Sequence, residues 1–227
     1  MNAQLTEIAF ILDRSGSMQS QLEPAISGFN SFLREQQETP GEARFTLVLF
    51  DDRYEVPCKA IPIAEVVELD TTTFVPRGST ALLDAIGRTV NELGARLAAM
   101  PEKSRPGQVI VAILTDGHEN ASHDFSLRKV SDLIAQQRDV YKWQFFFLGA
   151  DQDAIATAAT MNIDADSSMR FSASAQGFHS SSRSISRKMS AMRKMATNQS
   201  MTAQECHDLK SSLSDIGDEE DRKNRKK

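Results

Sequence analysis

Four short and nearly unbroken apolar runs, residues 8–12, 45–50, 109–114 and 143–148, alternate along this chain with stretches whose apolar residues recur every three or four positions. A strand needs unbroken apolarity when both faces of its sheet are covered; a half-exposed sheet would alternate apolar with polar. The intervening stripes are Leu22, Ile26, Phe29 and Leu33, then Leu83, Ile86, Val90, Leu93 and Leu97, then Leu127, Val130 and Ile134. Each puts its apolar side chains on one face of a helix. Ser126 is the expected N-cap of the third, and Asp151 the expected cap of a short alanine-rich helix ending near Thr160. Strands alternating with helices predict right-handed crossovers and an α/β architecture: a doubly wound, mainly parallel six-stranded sheet with helices on both faces. One strand must run the other way. Phe50-Asp51-Asp52-Arg53 leaves room only for a hairpin, so residues 54–59 are expected as an antiparallel edge strand, which Pro57 and Lys59 suit. A last strand is expected near residues 168–172, followed by a helix marked by Phe178, Ile185, Met189, Met192 and Ala196.

After Ala196 no apolar period persists. Residues 1–196 are therefore read as one domain, and 197–227 as a polar, charged tail that is partly disordered. Charge is unevenly spread: residues 1–170 hold 15 Lys and Arg against 24 Asp and Glu, whereas residues 171–199 hold five bases and no acid. An acidic body of this kind disfavours nucleic acid as a partner. No apolar run approaches the roughly 20 residues of a membrane helix. The first residues lack the basic start and cleavage site of a secretory signal. Cys58 and Cys206 lie far apart without metal-ligand spacing, which fits a reducing compartment and a cytoplasmic protein.

Chemistry concentrates in three separated places. Asp13, Ser15 and Ser17 follow the first predicted strand at spacings of two, so an extended turn can aim all three side chains at one point, with Gly16 easing the turn. Thr80 opens the second helix after Gly78-Ser79, and Asp116 closes the strand that begins near Val109. In open α/β sheets ligands bind beyond the carboxyl ends of the strands where strand order reverses, and Asp13 and Asp116 fall at such ends. Together the five residues offer an all-oxygen set suited to a hard divalent cation.

The blocks Phe10-Ile11-Leu12-Asp13-Arg14-Ser15-Gly16-Ser17-Met18, Arg77-Gly78-Ser79-Thr80-Ala81-Leu82-Leu83-Asp84-Ala85 and Ile113-Leu114-Thr115-Asp116-Gly117 resemble, in order and spacing, those of the von Willebrand factor A (vWA) family. Its metal-ion-dependent adhesion site (MIDAS) reads D-x-S-x-S, then a distant Thr, then a distant Asp. The resemblance covers residues 3–195 and implies a Rossmann-like vWA fold in a non-enzymatic, protein-binding domain. It further implies that Ser15, Ser17 and Thr80 contact the ion directly or through water, while Asp13 and Asp116 act mostly through bound water. Two carboxylates neutralise a divalent cation only once, so the ion keeps its pull on an Asp or Glu carboxylate from a partner protein. So few acidic ligands favour Mg²⁺, or Mn²⁺ in its place, over Ca²⁺. The segment Phe147-Leu148-Gly149-Ala150-Asp151-Gln152-Asp153-Ala154 is similar to that of small stand-alone bacterial and phage members, including relatives of the tellurite-resistance type, which are intracellular.

Other motifs have plainer readings. Ser15 or Ser17 taken alone would be a helix cap, and it is the five-residue set that points to metal. The rival function is a hydrolase or phosphotransferase with Asp13 as nucleophile beside Mg²⁺; position 15 holds Ser where an acid-base Asp is expected, and no phosphate loop is present. His118 and Glu119 invite a catalytic role, without a nucleophile elbow to go with it. Asp51-Asp52 reads as a turn in preference to a second carboxylate pair. The serines of residues 180–187 and the bases from Arg183 to Lys194 read as a solvated helix face, in preference to a phosphorylation target or a nucleic-acid surface. Met189, Met192 and Met195 read as packing against the sheet.

Overall fold

The computed structural model describes residues 1–150 and 152–224. Six strands, β1 (Asn2–Asp13), β2 (Glu42–Phe50), β3 (Tyr54–Pro62), β4 (Pro106–Thr115), β5 (Gln144–Gly149) and β6 (Ser168–Arg170), form one sheet in the order β3-β2-β1-β4-β5-β6. β3 pairs antiparallel with β2, as the short hairpin requires, and the other pairs are parallel. Strand order reverses between β1 and β4, which opens a crevice beyond their carboxyl ends.

The helices are α1 (Leu22–Glu38), α2 (Leu82–Ala99), α3 (Leu127–Tyr141), α4 (Ala154–Thr160), α5 (Ala175–Ala196), α6 (Ala203–Lys210) and α7 (Leu213–Asn224). Because side chains alternate along a strand, β1 feeds two cores at once. Ile8, Phe10 and Leu12 meet α1 and α5, where Phe10 packs on Phe29 and Phe32 with ring centroids 5.5 and 4.9 Å away. Ala9 and Ile11 face the opposite layer with Ile86, Val90 and Ile134 of α2 and α3. That double demand explains the unbroken apolar runs. Ser126 caps α3 by accepting from Lys129 N, whereas α4 takes Asp153 as its N-cap residue and Asp151 lies outside the described residues. Among the described residues no helix is long and apolar enough to cross a membrane.

The serine-rich face of α5 is not solvated. Ser180, Ser181, Ser182, Ser184 and Ser186 are each at most 4 % exposed. Their small side chains let α1 come close: a Cβ added to Gly28 would sit 2.6 Å from Ser182 Oγ. Buried hydroxyls bond back to their own helix, Ser184 to Ser180 O at 2.6 Å and Ser181 to Phe178 O at 3.0 Å. The bases are equally engaged. Arg193, 1 % exposed, donates to the carbonyls of Gln36, Thr39 and Gly41, and Lys188 to those of Asp208, Leu209 and Ser211. Neither phosphorylation nor nucleic-acid binding fits side chains spent in this way. Met189 and Met192 join the core, while Met195 is 54 % exposed.

Residues 203–224, which fall in the tail expected to be polar and partly disordered, form α6 and α7 on the outer side of α5. Two apolar side chains, Leu213 and Ile216, are fully buried there. Much of the remaining contact is polar: Arg187 pairs with Asp208, Glu219 and Glu220, Lys188 donates to carbonyls of α6 and the turn after it, and Thr202 with Glu205 forms a capping box at the start of α6. An interface made of charges leaves no apolar period to read.

Candidate metal centre

Asp13 is the last residue of β1, Asp116 follows the last residue of β4, and Thr80 stands two residues before α2. The structure brings the five predicted residues together over the β1–β4 crevice. Asp13, Ser15 and Thr80 are buried, Asp116 is half-buried, and Ser17 is exposed. Ser17 Oγ donates to Asp116 Oδ1 at 2.7 Å and lies 3.1 Å from Ser15 Oγ. A Cβ placed on Gly117 would stand 3.2 Å from Thr80 Oγ1, 3.5 Å from Ser17 Oγ and 3.9 Å from Ser15 Oγ. Hydroxyls from separate segments thus converge beside one position that glycine leaves open.

Backbone bonds hold these segments in place. Gly16 N donates to Gly78 O at 3.1 Å, Arg77 N to Arg14 O at 2.9 Å, and Ala81 N to Asp51 O at 2.9 Å. Gly78 has φ +65°, and a Cβ there would fall 1.9 Å from Asp52 Oδ1, so glycine is required twice over. The Arg14 guanidinium reaches away from the cluster to Asp51 Oδ2 at 2.9 Å and forks onto Glu55 at 2.8 and 2.7 Å. Arg77 Nε meets the same Asp51 oxygen at 2.9 Å. Asp51 does make the expected turn bond, accepting from Arg53 N at 2.6 Å, but its other oxygen ties the loops carrying Ser15 and Thr80 to the hairpin. The Arg14 hydrogen bond leads in holding the Glu55 carboxyl down at about 2.

Asp13 Oδ1 accepts from Ser15 N at 2.7 Å and Oδ2 from Thr115 Oγ1 at 2.5 Å. Burial nevertheless pushes its carboxyl up to about 6, with the Asp116 charge adding to the rise. Burial raises Asp116 as well, against the pull of Ser17. Two carboxylates driven toward their neutral forms would regain full charge beside a cation. Among the described residues no group of three His, Cys, Asp or Glu side chains is placed to hold a metal. Two carboxylates with three hydroxyls are instead the hard-oxygen set that suits Mg²⁺, Mn²⁺ or Ca²⁺, so the residues present fit such an ion.

Three supporting residues were not anticipated. Thr115 anchors Asp13; Asn120 pairs with Thr80, its Oδ1 accepting from Thr80 N at 2.9 Å; and Glu119 accepts from Leu83 N at 2.8 Å at the start of α2. Glu119 is thereby occupied as a cap for an otherwise orphan helix N–H. Position alone gives a faint signal for Thr115, next to a ligand at a strand end, and none for the other two.

The von Willebrand factor type A domain matches residues 7–185, and the chain belongs to this family. No curated protein matches it. Among solved structures it is similar to proximal thread matrix protein 1 from the mussel byssus with a zinc-occupied MIDAS motif, at 18% identity and TM-score 0.56, covering 82% of this chain and 46% of that one. It is also similar to the pilus adhesin SpaC from Lactobacillus rhamnosus GG, at 13% identity and TM-score 0.61, covering 85% and 31%. A third is the manganese-loaded TRAP protein of Plasmodium vivax, at 13% identity and TM-score 0.54, covering 76% and 70%. The chain spans less than half the length of the first two, and identities this low speak for the fold alone.

Proposed function

We propose that the chain is a protein-binding module that takes an Asp or Glu carboxylate of its partner on a divalent cation held by Asp13, Ser15, Ser17, Thr80 and Asp116. The convergence of three neutral hydroxyls beside Gly117, with only two carboxylates among them, carries this reading. Bound there, Mg²⁺ would supply an electrophilic centre whose charge the two carboxylates only just balance and whose other protein ligands are neutral hydroxyls, so that it could still accept a further carboxylate oxygen. Thr115 and Ser15 N hold Asp13, Asn120 holds Thr80, and exposed Ser17 leaves the side that a partner would approach. Zinc and manganese in the two metal-bound neighbours support the metal half of the reading. A hydrolase using Asp13 has less support, because that carboxylate is fully buried and both its oxygens already accept hydrogen bonds. A stand-alone, cytoplasmic member of the bacterial or phage kind, related to the tellurite-resistance type, accords with the 147–154 segment and with two free cysteines.

The test is partner capture on the immobilised chain in Mg²⁺, with chelator elution. Asp13→Ala and EDTA should each abolish capture, and capture that survives both refutes the mechanism. Mn²⁺ at a hundredfold excess over its Kd should add about 2.7 kcal/mol of stability, read as a rise in Tm.

A further inference from the structure

We infer that the chain carries a second, metal-independent site, for a small amphipathic carboxylate, at the pole opposite the metal centre. A cavity of about 500 Å³ opens there. Its walls come from the amino ends of β1 and β4, the segment entering β5, and the carboxyl ends of α2 and α3. That volume lies inside the roughly 300–1,000 Å³ range of small-molecule sites. Leu97, Val109 and Trp143 form its buried wall, with Trp143 stacked on Phe145 at 6.3 Å. At the rim, Val140 and Tyr141 are 64% and 59% exposed. Apolar surface of this shape gains free energy when an apolar body covers it.

The charges select the ligand. Among the described residues no acid lines the cavity, although the chain as a whole is acidic, and Arg105 and Lys142 are its charged side chains. Neither pairs with a carboxylate among the described residues; the nearby Asp139 is itself paired with Arg138 at 2.8 Å. Arg105 is fixed by backbone carbonyls, Nε on Met100 O at 3.1 Å and Nη2 on Ala98 O at 2.9 Å, so it closes the end of α2. Those two bonds hold the guanidinium still, and among the described residues Nη1 makes no bond. Lys142 Nζ spends one donor, on Asp139 O at 2.7 Å. A carboxylate can accept from the unspent donors of Arg105 and Lys142, and its apolar body can lie on Trp143, Leu97 and Val109. A cation would meet two like charges, and a neutral apolar molecule would leave the donors unused.

Trp143 is the chain's one tryptophan, so its fluorescence reports on this cavity alone. The full chain is titrated with decanoate in excess EDTA, which separates this site from any failure of the metal reading. Decanoate should give a saturable Trp143 response, and decanol, with the same body and no charge, should bind at least roughly tenfold more weakly. Arg105→Gln and, at an exposed position, Lys142→Gln should each weaken decanoate roughly tenfold, with Tm recorded to show that both variants fold. Gly94→Leu should abolish binding, because a Cβ at Gly94 points to within 3.9 Å of the Trp143 ring and a larger side chain fills the space. Absence of a saturable response, equal binding of decanol, or full affinity in both charge variants overturns the proposal.

Discussion

Asp51→Asn removes the charge on which the metal-centre loops converge. Asp51 is fully buried, as is the Arg14 that it neutralises, whereas Arg77 is 38% exposed. Removing one partner from a buried pair costs about 3–5 kcal/mol because the other charge stays behind. Asparagine keeps one oxygen, which can serve Arg14 Nε or Arg53 N but not both, and its amide hydrogens face a guanidinium. The net cost should therefore be about 2–4 kcal/mol, or about 5–15 °C in Tm for a chain of this length. Arg77→Ala, which breaks a solvent-screened pair, should cost no more than about 1 kcal/mol. Arg14 lies between Asp13 and Ser15, and its carbonyl accepts from Arg77 N. Loosening it should also weaken Mn²⁺ binding about tenfold in protein that is still folded, since preorganisation is lost. Calorimetric melting gives the first quantity and Mn²⁺ titration below the transition gives the second. Melting of Asp51→Asn within about 2 °C of the parent, equivalent to less than about 1 kcal/mol, would refute the reasoning, and so would an Arg77→Ala variant equally destabilised.

The proposed metal site would require the Asp13 carboxylate, whose pKa burial raises to about 6, so Mn²⁺ affinity should be level above pH 6 and fall about tenfold per unit below it. The metal-free fold responds with the opposite sign: the folded chain holds the Asp13 proton more tightly than the unfolded chain, so this group adds stability as pH falls from about 6 towards 3.8. Calorimetric titration on both sides of pH 6 checks the affinity, and a flat profile contradicts it. Gly94→Ala should stabilise α2 by about 0.5–1 kcal/mol, because its methyl meets Gln137 and Trp143 at ordinary contact distances of 3.5 and 3.9 Å. Gly177→Ala should do the reverse, since its methyl would land 1.9 Å from Ser172 O; urea midpoints order the two. Arg187→Met should cost about 3–5 kcal/mol by leaving Asp208 buried without its ion-pair partner, whereas Glu220 keeps Lys223 at 2.8 Å and Arg183 at 3.7 Å. It should be read as loss of amide protection in residues 203–224 ahead of the sheet, and unchanged protection there would contradict it.

Periodicity made the strands and first three helices legible because their burial is apolar and local along the chain. Leu22, Ile26, Phe29 and Leu33 state a helix face whatever they pack against. The serines of α5 carry no such mark: Ser182 is buried because Gly28, on another helix, lets α1 approach it. Arg193 is buried because three backbone carbonyls, at Gln36, Thr39 and Gly41, end their segments beside it. Such polar burial depends on groups about 150 residues away in sequence, as the Arg193 bonds to Gln36 and Gly41 show. The partners are nearer for α6 and α7, since Arg187 and its three acids stand 21 to 33 residues apart, but ionic burial again leaves no apolar mark in the sequence.

The candidate centre divides along the same line, and the division shows what the hairpin is for. Its five oxygen ligands are legible as residue types at set spacings, whereas the groups that hold them are legible only in three dimensions. A parallel crossover after β2 would have carried the chain to the amino-end pole before any further strand began. The hairpin keeps residues 50–55 at the metal pole, pairing Phe50 with Tyr54 and Leu49 with Glu55. This delivers Asp51 and Glu55 to the guanidinium groups of Arg14 and Arg77, one from each ligand loop. The sheet's one antiparallel pairing is thus also what supplies the centre with its counter-charges. An edge strand that turn length alone explains has its larger consequence at the candidate centre, which predicts that lengthening the 51–53 turn will cost Mn²⁺ affinity, read by titration, before it costs sheet stability, read by melting.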